Sequence, residues 1–363
     1  MKKSLLALAV VAVAASANAA TVYDKDGTSL TLDGRVQSVF YSGNHNKAGE
    51  NDSSIQNSGR FGIGGKTQIT DWVAGIGYAQ WDVADGSTDN FRARDQYVGA
   101  DFGEFGLVKA GRFVDSTYYA EEVTDHYEDA AGTVQGKFNG ERRGGQLMYI
   151  YDNYGFHAQA GAQTAQNNAR LIDGVQYAVD SGFNGALGYT FDDVLFGPLS
   201  FRAGYSYVKG QSDRDITGNG IGFNNFKHAT GGIAWGNLDS GFYVAALYEY
   251  AKLNDAGKTA TTDVDNSWKN KGFELAAGYA FDNGVSMLVG YESSTIKNRT
   301  GDEAENKYKV KRIPVFVNYK INSNFNVWGE VGFNAGSDHE VNNAKVAKKV
   351  DHQIFSLGAR YTF

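Results

Sequence analysis

"IFSLGARYTF", residues 354–363, ends the chain on ten residues of strict alternation. Phe355, Leu357, Ala359, Tyr361 and Phe363 share one parity, and Ser356, Gly358, Arg360 and Thr362 take the other. A period of two with unlike parities is the signature of a β-strand whose faces meet different surroundings. Working back from the terminus, the pattern returns in "FNVWGEVGF" (325–333), where Phe325, Val327, Val331 and Phe333 share a face, and in "FELAAGYAF" (273–281) through Phe273, Leu275, Ala277, Tyr279 and Phe281. Near the other end, "RFGIGGKTQI" (60–69) sets Phe61, Ile63 and Ile69 against Arg60, Lys66 and Gln68. "LTLDGRVQSVFY" (30–41) sets Leu30, Leu32, Val36 and Phe40 against Asp33, Arg35 and Gln37.

The connections between such units alternate in length. Short ones fall at 69–72, 101–106, 152–155, 192–198, 236–241, 282–284 and 322–324, and each carries Gly, Asn, Asp or Pro, residues suited to turns. Long polar ones fall near 42–58, 83–91, 113–141, 164–182, 209–225, 251–271, 293–308 and 334–350. Long and short in strict turn predict an all-β chain of sixteen antiparallel strands closed into a transmembrane barrel, with long external loops and short periplasmic turns. Closure follows because lipid cannot satisfy an open sheet edge, so the last strand pairs with the first. A soluble β-sandwich, the competing reading, gives no reason for that rhythm, nor for glycines and charges along the second parity.

Composition agrees. "MKKSLLALAVVAVAASANA" (1–19) has two lysines, an apolar run and Ala17-Asn18-Ala19, the form of a removable secretory leader, which leaves 20–363 as a single domain. Beyond it no stretch approaches the roughly 20 apolar residues of a membrane helix. With 34 basic against 41 acidic residues the chain is no candidate for binding nucleic acid, which needs a basic surface. Without cysteine it uses no disulfides.

Enzymatic chemistry finds no foothold. The six histidines lack helical metal spacing, a zinc site would need a convergence the sequence does not display, and neither a G-x-S-x-G elbow nor a Walker A stretch occurs. No catalytic residue, metal or cofactor is expected. What stands out is "EEVTDHYEDAAG" (121–132), a run of carboxylates in the longest connection. Parity sends Arg35, Arg60, Arg94 and Arg142 into the lumen, with Arg112 ending the strand before that loop. A third loop folded inward would set its acids against these arginines. Glu121, Asp125, Glu128 and Asp129 have the spacing of one helical face. Strict alternation then leaves Asp95 and Arg143 outward, where a charge on lipid costs about 2–4 kcal/mol near the midplane. A subunit interface or a local bulge removes that conflict. Among the tryptophans only Trp328 has a clearly inward parity.

Five segments carry a family resemblance over nearly the whole mature length: "VYDKDGTSLTLDGR" (22–35), "GRFGIGGKTQI" (59–69), "FGLVKAGR" (105–112), "ERRGGQLMY" (141–149) and "GARYTF" (358–363). In this order they resemble the general diffusion porins of Gram-negative outer membranes. The resemblance implies a homotrimer of sixteen-stranded barrels, each narrowed by an inward third loop at about 113–141. It implies a basic wall of Arg35, Arg60, Arg94, Arg112 and Arg142 facing Asp125 and Asp129; Glu121 and Glu128 are next in line, and Glu121, Glu122 and Glu128 add charge beyond the family pattern, which favours cations. It also implies a terminal aromatic, Phe363, read by the barrel-assembly machinery. The expected partners are outer-membrane lipid and lipopolysaccharide, that machinery, and the ions and small hydrophilic solutes that pass. The loop departs from the family pattern, carrying "EDAAG" where Pro-Glu-Phe-Gly-Gly is common. From a different class, the external loops at 251–271 and 334–350 support an adhesin or receptor reading.

Overall fold

A computed structural model describes residues 19–45, 52–83, 91–132, 134, 138, 142–172, 175–211, 220–258, 263–300, 305–341, 344–345 and 352–363. The leader expected at 1–19 lies, apart from Ala19, outside the described residues.

Among the described residues sixteen strands make a closed wall. They are Thr28–Tyr41, Ser54–Thr70, Val73–Val83, Phe91–Asp101, Leu107–Val114, Arg142–Asn153, Phe156–Gln163, Val175–Val194, Gly197–Gly210, Asn225–Gly236, Gly241–Lys258, Asp263–Ala280, Val285–Thr300, Asn306–Lys320, Phe325–Asn334 and Ile354–Thr362. Neighbours are antiparallel, and the ring closes where the last strand pairs with the first, from Arg35 opposite Thr362 to Tyr41 opposite Ser356. The rest of that first-strand edge is covered by Ala20–Lys25, which turns back through Asp26 and Gly27, both at positive φ, to pair along Thr28–Leu32. The two chain ends thus fill one edge end to end. Gly34 and Phe363 join them by two backbone hydrogen bonds of 2.9 Å. A Cβ on Gly34 would stand 2.6 Å from the Phe363 ring, so the glycine makes room for the terminal aromatic.

The seven short turns lie where the sequence places them. Tyr154 and Gly155 have φ of 56° and 76°, the left-handed pair that a two-residue hairpin requires. Several of the long connections differ from expectation: Gln166–Ile172 pairs with the start of the Val175–Val194 strand inside 164–182, and Asp338–Val341 pairs with Ala344–Lys345 inside 334–350. The strands ending at Lys258 and starting at Asp263 remain paired to their tips, so most of 251–271 is hairpin, and most of 293–308 likewise belongs to the strands ending at Thr300 and starting at Asn306.

Among the described residues no helix is long and apolar enough to cross a membrane; the strands do the crossing. Val36, Leu147, Phe183, Leu187, Phe201, Leu275, Val289 and Leu357 lie on the exposed outer parity. Inside, apolar side chains collect where the third loop meets the wall: Val123 and Val134 are buried with Tyr243, Leu247, Leu288, Phe316 and Trp328, and Tyr127 packs against them. Burying two valines contributes about 1.5–3 kcal/mol each, enough to hold a loop that would otherwise remain in water. A second inner cluster, including Phe138, Leu171, Tyr177, Phe226 and Leu253, also takes in Trp268, so Trp328 is not alone among inward tryptophans.

Candidate functional site: a charged constriction under the third loop

The third loop leaves the wall at Val114 and runs inside the barrel. Its first anchor is ionic. Arg143 Nη2 lies 2.6 Å from Asp115 Oδ2 with both side chains buried, and the guanidinium also donates to Ser206 Oγ at 2.9 Å. Asp115 further accepts from the backbone N–H of Thr117 at 3.0 Å. Burial pushes the Asp115 carboxyl up, but Arg143, His228 and the two Thr117 hydrogen bonds together outweigh it and hold the group below the usual carboxylate range. A buried pair with its remaining lone pairs satisfied is the arrangement that offsets desolvation.

This places Arg143 inward, against the outward position that strict alternation gives it, and Asp95 is inward too. The physical reason is two bulges. Pairing runs from Ala79 opposite Gln96 to Trp81 opposite Ala93, so Arg94 and Asp95 together face Gln80. The register between the Leu107–Val114 and Arg142–Asn153 strands breaks again, where Gly144 and Gly145 stand against Arg112.

Beyond the anchor the loop makes one turn of helix, Tyr118–Glu121, and then leaves helical geometry. The four carboxylates expected on one helical face therefore diverge. Glu121 is buried and aims at the wall, its Oε1 lying 3.7 Å from His228 Nε2. Asp125 is exposed and accepts from Tyr118 Oη at 2.7 Å. Glu128 is gripped by Arg360, with Nη1 to Oε1 at 2.8 Å. Asp129 is spent on the wall, one oxygen accepting from Tyr41 Oη at 2.9 Å and the other from Ser356 Oγ at 2.7 Å. Burial and the Asp125 carboxylate raise the Tyr118 phenol, which stays protonated as a donor.

Opposite stands the basic row. Arg35 and Arg60 are direct cross-strand partners. Asp82 bridges the next step, 3.1 Å from Arg60 Nε and 3.0 Å from Arg94 Nη1. Arg142 Nε lies 2.7 Å from Asp95 Oδ1, and Arg112 Nε donates to the Ala93 carbonyl at 3.2 Å. Between row and loop is a cavity of about 290 Å³ lined by Arg94 and Arg142 on one side and by Tyr118, Glu121, Asp125 and Glu128 on the other. Arg35, Arg60 and Arg112 extend the row beyond that lining, and Asp129 lies outside it.

Sequence reasoning missed the wall acids that hold the loop. Glu330 accepts backbone N–H groups from Glu128 at 2.8 Å, Asp129 at 3.0 Å and Ala130 at 2.5 Å. Glu292 accepts from Gly132 at 2.8 Å, and Glu274 accepts from Thr124 Oγ1 at 2.6 Å. Their inward aim is written in parity, since Glu274 alternates with Phe273 and Leu275, and Glu330 with Val331. Also missed were Asp82, and Arg202, whose Nη1 pairs with Glu122 at 3.0 Å.

Comparison with known proteins agrees with the barrel fold. The family profile of the Gram-negative porins matches residues 5–310. Outer membrane porin F of Salmonella typhi is 28% identical over the full length of both chains, and outer membrane porin PhoE of Escherichia coli K12 is 27% identical over 89% of this chain and 93% of its own. In fold, the chain is similar to Salmonella typhi OmpF in complex with daunomycin, with a TM-score of 0.70 at 21% identity over 95% of this chain and all of that one. It is also similar to the trimer form of Vibrio cholerae OmpT, with a TM-score of 0.67 at 18% identity over 93% of this chain and all of that one. This sixteen-stranded barrel, matched over most of its length by that profile, is a member of the Gram-negative porin family, an outer-membrane channel protein.

Proposed function

We propose that this porin passes ions and small hydrophilic solutes by passive diffusion, prefers cations, and does no covalent chemistry. The observation that carries the reading is the cavity flanked by Arg94 and Arg142 against Asp125 and Glu128. Part of the arginine charge is offset in place: Asp82 is shared by Arg60 and Arg94, and Asp95 serves Arg142. Glu128 is likewise paired with Arg360. Asp125 remains exposed and accepts from a neutral phenol, so it offers a passing cation a carboxylate that no arginine pairs. Charged side chains at a constriction are a recognised basis of ion selectivity.

Around that function we place the remaining parts: removal of residues 1–19 on export, engagement of the barrel-assembly machinery by Phe363, a homotrimer, and lipid with lipopolysaccharide around the barrel. Reversal potentials across planar bilayers in a salt gradient test the selectivity. Asp125→Asn lowers cation preference while Asp129→Asn, whose carboxylate is bound to the wall, leaves it near wild type. An unchanged potential in the Asp125 variant rejects the assignment.

A further inference from the structure

We propose that Glu121, His228 and Glu249 form a binding site for a divalent transition cation of the zinc class, which staples the third loop to the inner wall. The three side chains come from the loop helix and from two neighbouring strands, Asn225–Gly236 and Gly241–Lys258. His228 Nε2 lies 2.9 Å from Glu249 Oε1 and 3.7 Å from Glu121 Oε1, and the candidate ligand atoms all fall within 4.8 Å of one another. Tetrahedral zinc with bonds near 2.0–2.2 Å sets its ligands about 3.3 Å apart, between those two separations.

A second observation points the same way. Glu249 is fully buried, its Oε1 is used by His228, and its Oε2 has no hydrogen-bond partner. A buried carboxylate oxygen without a donor is costly. Charge adds to this, because Glu121, His228 and Glu249 are 3%, 1% and 0% exposed. Two carboxylates and an imidazole set this deep suit a dication, since buried charges are paired or coordinate metals.

One imidazole and two carboxylates select among cations. Calcium takes 6–8 oxygens and magnesium gives up water reluctantly, whereas zinc accepts three protein ligands and keeps a fourth position for water. Access is at hand, since Glu121 also lines the constriction cavity. The loop helix is seated over the same strands by Thr230, whose hydroxyl donates to the Thr117 carbonyl at 2.9 Å.

The test uses the full-length barrel in detergent, dialysed against excess zinc chloride, desalted and analysed for metal. One zinc per barrel is expected, displaced by a chelator but not by magnesium or calcium. His228→Gln and Glu249→Gln lose it, and His352→Gln, altered at a distant histidine, retains it. Cobalt(II) gives an independent readout on the unaltered protein through the visible bands of low-coordinate cobalt, which guards against variants that fail to fold. Zinc retained by His228→Gln, or no stoichiometric zinc and no cobalt spectrum in the unaltered barrel, overturns the proposal.

Discussion

Arg360 grips Glu128 in a two-point fork, Nη1 to Oε1 at 2.8 Å and Nη2 to Oε2 at 2.5 Å, while its guanidinium lies 4.9 Å from the centre of the Trp328 ring. The fork removes Glu128 from the charge that a passing ion meets.

Replacing the fork therefore changes selectivity. Arg360→Gln leaves a bare carboxylate beside Asp125, and cation preference rises, read as a larger reversal potential in a salt gradient. The double change Arg360→Gln with Glu128→Gln returns it toward the original value. A double variant that behaves like the single one would show that the effect comes from elsewhere.

Asp82 holds the opposite sign of control. It touches both Arg60 and Arg94, so Asp82→Asn frees two positive charges on the basic row. Chloride permeability is expected to rise relative to potassium. Low ionic strength enlarges the effect and molar salt suppresses it, because screening shortens the reach of the freed charges to about 3 Å. An effect independent of salt concentration rules out this electrostatic account.

The barrel was legible because lipid forces one parity to be apolar, which is why the turns and the closing strand were readable from "IFSLGARYTF". Where the residues no longer alternate the signal fades: the strand ends around Lys258 and Asp263 keep their backbone ladder without a period of two in the sequence. Asp95 and Arg143 were misplaced for another reason. A bulge re-aims every residue beyond it, and only Gly144-Gly145 hinted at one. For Glu330 parity gave direction but not partner, since its partners are backbone N–H groups that any residue supplies. The grouping of Glu121 with His228 and Glu249 depends on a folded loop and has no spacing to read.

His126 makes the docked loop sensitive to pH. Its Nε2 is 3.2 Å from Tyr243 Oη, and burial lowers its pKa below the ordinary 6.5. The unfolded chain then takes up a proton at higher pH than the folded one, so stability is complete above the unfolded value and falls as pH drops toward the folded one. Heat unfolding compared between about pH 7.5 and 5.5 should show a smaller acid loss in His126→Gln than in the parent. Parallel curves would remove His126 from the account.

The buried pair of Arg143 and Asp115 fixes the loop where it leaves the wall. Arg143→Met leaves the Asp115 carboxylate in a dry site without its partner, at a cost of about 3–5 kcal/mol. The double variant Arg143→Met with Asp115→Leu also removes the stranded charge and should recover most of that loss, since an apolar pair of similar volume is often neutral. Denaturant unfolding of the two variants beside the parent measures the difference. Because Asp115 also accepts the Thr117 N–H that starts the loop helix, channel current in the single variant should flicker more as the loop loses its root. A single variant as stable as the parent, with a quiet current, would show that the loop is held by its other wall contacts, Glu330 and Glu292 among them.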